Sequence, residues 1–119
     1  PEAIIIATGS ELAIAMDAAA RLAKDVKIRV VSMPCAELFL AQDKAYRDAV
    51  LPKDVTARVV IEAGSTAYWY RFVGTEGKVI GLDHFGASAP YQTLYEKFGL
   101  TADAVVEAVE ASLAISLVN

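Results

Sequence analysis

The sequence holds one cysteine and one histidine among its 119 residues, and that scarcity excludes several chemistries at once. Cys35 cannot close an internal disulfide, and no Cys/His spacing of a zinc site can be drawn, so the chain reads as belonging to a reducing compartment, the cytoplasm. With His84 as the single imidazole, every Ser/His/Asp or Cys/His arrangement must pass through it, and Asp83 beside it points the other way if the strand before it continues. No catalytic triad is expected. Apolar runs stay far below the length of a membrane span, and Pro1-Glu2-Ala3-Ile4 has no basic head of a signal peptide. A concentration of one charge sign is also missing: eleven basic residues run from Arg21 to Lys97 without a cluster, against fifteen acidic ones. A net charge of −4 so arranged leaves no electrostatic footprint for nucleic acid or an anionic membrane.

Apolar material, in contrast, is plentiful. The chain is 55% hydrophobic and 22% charged, and its length is that of a common single domain, so residues 1–119 are read as one folded unit. A chain that starts at Pro1, without an initiator methionine, and enters a strand almost at once reads as cut at the edge of a domain.

The order of elements follows from the spacing of apolar residues. Ala3-Ile4-Ile5-Ile6-Ala7 is continuously apolar, the pattern of a strand buried on both faces. Beyond Ser10, read as an N-cap, Leu12, Ala15, Met16, Ala19, Leu22 and Ala23 recur at helical spacing. A second strand covers 28–33, Pro34 stops it, and a mostly helical excursion covers 36–50. A third strand covers 57–61, and Trp69, Phe72 and Val73 at i, i+3 and i+4 suit a short helix seated on the core. A fourth strand over 78–82 precedes two helical segments, one over 91–98 and one opened by Thr101 with Val105, Val106, Val109 and Leu113 on one face; residues 114–119 read equally as its continuation or a frayed tail. Strands alternating with helices imply a three-layer α/β/α fold built on a mainly parallel sheet.

In such sheets ligands bind beyond the carboxyl ends of the strands, which directs attention to the loops 8–11, 34–37, 62–66 and 83–90. Gly9 and Ser10 lead a strand into a helix start, where free N–H groups suit an anion; an ordinary turn of this kind is the alternative, because a dinucleotide fingerprint or P-loop needs further glycines or a Gly-Lys-Ser/Thr that are absent. Glu11 suits the first helical turn. Glu62, at a strand end, is a candidate general base or a structural partner, and Gly64 supplies a backbone turn. Cys35 is either a reactive thiol near a helix start or a small buried hydrophobe. Trp69 and Tyr70, within the aromatic run 68–72, fit core packing or a protein interface better than a base-stacking platform. In 85–90, Gly86 permits a bend, Ser88 can cap the following helix and Pro90 suits its first position.

Read in order, Ala7-Thr8-Gly9-Ser10-Glu11, Arg29-Val30-Val31-Ser32-Met33-Pro34, Tyr46-Arg47, Val50-Leu51-Pro52, Glu62-Ala63-Gly64, Trp69-Tyr70 and Phe85-Gly86-Ala87-Ser88-Ala89-Pro90 resemble the C-terminal domain of bacterial transketolases. The resemblance covers roughly residues 3–113. It implies an enzyme of the pentose phosphate pathway that moves a two-carbon ketol unit between sugar phosphates, using thiamine diphosphate and a divalent metal, Mg or Ca, as a homodimer. It further implies that two preceding domains bind the cofactor. Their Gly-Asp-Gly signature is not met by Gly81-Leu82-Asp83-His84, so no catalytic, cofactor-binding or metal residue is assigned here. In the family this third domain has a mixed sheet whose first, antiparallel strand would precede Pro1, and it packs on the preceding domains and supports the dimer. The resemblance therefore implies a structural and assembly module, inactive alone, with no nucleic-acid or membrane partner. The alternative is a stand-alone or regulatory module binding a phosphate-like or nucleotide-like ligand at the strand ends, with Gly9, Ser10 and Ser88 as contacts; Glu11, Glu62, Gly64, Phe85 and Gly86 complete the candidate ligand or interface set beside Trp69 and Tyr70.

Overall fold

The fold is built outward from a strand with no exposed side chain. In a computed structural model that describes residues 1–63, 66–81 and 100–118, β1 (Ala3–Ala7) has every residue at 0% exposure. It lies between β2 (Ile28–Ser32) and β3 (Arg58–Glu62), and β4 (Lys78–Gly81) pairs with the far side of β3. All three pairings are parallel, in the order β2-β1-β3-β4. This is the expected parallel α/β sheet.

Strand side chains alternate between the two faces, so one apolar run feeds two cores. Ala3, Ile5, Ala7, Val59 and Ile61 pack on one side against α1 (Leu12–Leu22) and the C-terminal helix α5 (Ala102–Val118). Ile4, Ile6 and Val60 pack on the other against α2 (Ala36–Leu40), α3 (Lys44–Val50) and α4 (Tyr70–Val73). Thr101 opens α5 as expected, its hydroxyl accepting from the Ala104 N–H at 3.2 Å. Residues 114–118 continue the same helix.

Two local expectations are corrected. Ser10 does not cap α1: a 3-10 turn, Gly9–Glu11, runs directly into the helix, and Glu11 holds the cap position. The last extended residue is Thr8, so the chain turns earlier than expected. The buried face of α1 is Glu11, Ala15, Ala18 and Leu22, while Met16 is 55% exposed and Ala23 is exposed too. Alanine at six positions of residues 12–23 blunts the apolar pattern, and the small Ala15 and Ala18 mark the side that α5 can approach. The mostly helical excursion expected over 36–50 is present as two helices, because Asp43 accepts from the Tyr46 N–H at 2.8 Å and starts α3 afresh. The expected helix over 91–98 lies outside the described residues.

The approach of α4 to β4 depends on Gly77. A Cβ there would stand 2.4 Å from the Val73 Cβ and 2.5 Å from the Arg58 carbonyl oxygen. Space, not backbone conformation, selects glycine. Gly77→Ala is expected to destabilise the fold by about 3 kcal/mol through overpacking, read as a lowered midpoint in urea denaturation; an unchanged midpoint would show that this contact gives way freely.

Candidate functional site

The strand order places a switch point between β1 and β3. The chain leaves β1 through α1 toward β2, then crosses the opposite face to reach β3 on the other side of β1. Connections diverge there, and in open α/β sheets this is where a ligand crevice is expected, beyond the strand ends. The residues at its mouth are Thr8, which follows β1, and Glu62, which ends β3.

Their side chains meet. The Thr8 hydroxyl donates to Glu62 Oε2 at 2.6 Å and lies 3.2 Å from Glu11 Oε2. It carries a single hydrogen, so the shorter contact takes most of it. Glu11 is 3% exposed although it is a carboxylate, and its position at the start of α1 sets it in the positive end of the helix dipole. Gly9 completes the turn with φ +49°, in the left-handed region, with no atom within 4 Å of a Cβ built on it. Here conformation, not space, favours glycine.

Two carboxylates brought together around Thr8 change what this site can hold. They suit hydroxyl or ammonium donors and repel a phosphate, which weighs against an anion bound at Gly9. Sequence spacing had brought Glu11 and Glu62 into the candidate set, but Thr8, which joins them, was missed. Its only signal was its place directly after an apolar strand, because the partnership spans 54 positions and exists only once β1 and β3 are adjacent.

The other candidates separate. Trp69 is 8% exposed and packs on Phe72 with ring centroids 5.4 Å apart, so it is a core residue; Tyr70, at 53%, faces outward. Cys35 is half-buried and its thiol contacts Glu37 Oε2 at 3.6 Å. Beside it a cavity of about 230 Å³ opens between the end of β2 and the α2–α3 pair, rimmed by Leu38 and Tyr46, which are 65% and 52% exposed. The side chain of Ser10 and the whole of Gly64, Asp83, His84, Phe85, Gly86, Ser88 and Pro90 lie outside the described residues. Among the described residues no group of three or more His, Cys, Asp or Glu side chains could hold a metal ion, and no helix is long and apolar enough to cross a membrane.

The comparison with known proteins extends over the same elements. The family of the transketolase-like TK C-terminal domain matches residues 1–101. Transketolase 2 of Vibrio vulnificus is 53% identical over 115 residues, covering 96% of this chain and 17% of that protein. The crystal structure of a Pichia stipitis transketolase in complex with sedoheptulose 7-phosphate superposes with a TM-score of 0.87 at 32% identity, over 99% of this chain and 17% of that one. A split-gene transketolase, solved as an inactive β4 tetramer, superposes with a TM-score of 0.66 at 29% identity, over 97% of this chain and 40% of that one. The chain thus spans about a sixth of the length of the curated relatives it matches.

The bridging hydroxyl can be tested directly. Thr8→Val removes the donor between two carboxylates and is expected to cost about 2 kcal/mol at neutral pH, while Thr8→Ser retains most of the stability. Urea denaturation of the three proteins reads the difference, and a Thr8→Val midpoint equal to that of the parent would remove the hydroxyl from the account.

Proposed function

This chain belongs to the transketolase-like C-terminal domain family, and from that premise we propose that it serves as the structural and assembly module of a transketolase. In this reading the whole enzyme moves a two-carbon ketol unit between sugar phosphates in the pentose phosphate pathway, in the cytoplasm and as a homodimer. Thiamine diphosphate with a divalent metal, Mg or Ca, supplies the carbanion chemistry when bound, and other domains of the enzyme hold it. This chain's residues contribute the folded platform on which those domains and the dimer partner rest. Neither nucleic acid nor membrane is a partner.

The observation that carries the reading is the family match along residues 1–101. The Pichia stipitis relative is described with a sugar phosphate, which supports the substrate class. The split-gene relative, to which nearly the whole chain aligns, is described as inactive in its β4 form, which supports inactivity of this part alone. The assembly face is best placed at α2 and α3, where Leu38, Leu40 and Tyr46 are exposed beside Phe39. Large apolar side chains gathered on one face mark contact surfaces. Tyr70 is a further candidate contact, whereas Trp69 acts by supporting the core beneath it.

A regulatory ligand at the strand ends, contacted by Gly9, Ser10 and Ser88, is the rival use of the fold. The carboxylates of Glu11 and Glu62 beside Thr8 favour a hydroxyl-rich or cationic group there over a phosphate.

Supplied with thiamine diphosphate, magnesium, xylulose 5-phosphate and an aldose phosphate acceptor, the isolated chain is expected to form no ketol-transfer product. A coupled or chromatographic product assay reads this, and turnover above the protein-free control would refute the assembly reading.

A further inference from the structure

Four cations that are scattered in the sequence are brought together at the end of the sheet opposite Thr8 and Glu62. Arg58 begins β3, Lys53 precedes it, Arg47 stands in the last turn of α3 and Arg71 in the last turn of α4. Two adjoining cavities of about 310 and 320 Å³ share Lys53, Arg58, Arg71 and Phe72 in their walls, and Arg47 lines the second. The even spread of basic residues along the chain concealed this groove.

Neutral groups hold two of these cations, Arg58 and Arg71, in place. The Arg58 guanidinium donates to the carbonyls of Val55 at 2.9 Å, Phe72 at 3.0 Å, Leu51 at 3.2 Å and Pro52 at 2.6 Å. Those carbonyls fix its position and leave a full positive charge at the groove floor, where burial pushes its pKa below the ordinary guanidinium value. Arg71 donates to the Tyr68 carbonyl at 3.0 Å and lies 4.0 Å over the Tyr68 ring. Arg47 Nε is buried and has no hydrogen-bond partner among the described residues. The ion pairs among the described residues join Arg21 to Asp17 and Asp103, and Lys44 to Asp48, and none uses the four groove cations. Among the described residues these four cations are therefore open to an external anion.

Two carboxylates also reach the walls. Asp48 is engaged by the Lys44 ammonium at 2.6 Å, and Lys44 foremost, with the groove cations Lys53 and Arg47 after it, holds its carboxyl below the usual range. Glu76 lines the first cavity and has interactions of its own. Two acids against four cations leave the groove positive.

We propose that this groove binds the phosphate group of a small molecule, with Arg47, Lys53 and Arg71 as its charged contacts, Arg58 as the fixed charge beneath, and Phe72 as an apolar wall for whatever the phosphate carries. Guanidinium forks match phosphate oxygens, and each cavity has the volume of a small-ligand site. The site is separate from the strand-end crevice and does not depend on the assembly role.

The test is calorimetric titration of inorganic phosphate, and separately of glycerol 3-phosphate, at constant ionic strength into the full-length polypeptide that carries this chain. Parent, Lys53→Ala and Arg71→Ala proteins are compared; both residues are exposed, so neither change should disturb the core. Saturable binding that weakens about tenfold or more in each variant is expected. Tighter binding of the ester than of phosphate would identify an organic phosphomonoester as the occupant, and equal binding would identify the free ion. Unsaturable heats in the parent, or an affinity unchanged in both variants, would overturn the proposal, and any phosphate site elsewhere in the polypeptide would show itself as the unchanged component.

Discussion

Burial of β1 on both faces is the constraint from which the rest of the structure follows. Five consecutive residues without solvent contact need a strand on each edge and helices on each face, because an apolar strand exposed on one side would forgo about 25 cal/mol for every Å² of its apolar surface left in water. Ile5 and Ile6 point to opposite cores. That division forces the crossovers from β1 and β3 onto different faces and places the switch point at Thr8. The location of the crevice is therefore a consequence of hydrophobic packing, whatever the crevice now serves.

The two ends of the sheet carry opposite charge, and helix geometry accounts for the sign. At the carboxyl ends of the strands Glu11 sits at the start of α1 and Glu62 joins it through Thr8. At the amino ends Arg58 takes up carbonyls at the close of α3 and in α4, and Arg47 and Arg71 stand in the last turns of the same helices. Carboxylates at helix starts and cations at helix ends are each favoured by the backbone dipoles. A net charge of −4 hides this polarity, and each end is suited to a different class of neighbour.

Most of the fold could be read from the residues because its signals are local. The apolar runs 3–7, 28–33 and 57–61 became strands nearly as bounded, and Trp69, Phe72 and Val73 seated a short helix on the core at the expected spacing. The expectations that failed depended on tertiary partners. Met16 and Ala15 look equally apolar in an alanine-rich helix, and only the approach of α5 selects the face that holds Ala15. The aromatic run left core packing and a protein interface as alternatives, and the fold divides them: Trp69 is in the core and Tyr70 stays outside. The Thr8–Glu62 bond and the basic groove were out of reach for the same reason: each joins residues far apart in the chain. By contrast, the family itself was visible in short ordered motifs, since their sequence order survives without knowledge of the contacts.

The central claim is that this domain works as one part of a larger transketolase. Mass spectrometry of the denatured native polypeptide that contains this sequence tests it most directly. The account predicts a single chain several times heavier than 12.7 kDa, long enough to include domains that hold the cofactor. A native polypeptide close to 12.7 kDa, with no larger species carrying the same sequence, would contradict it and make ligand binding the function to explain.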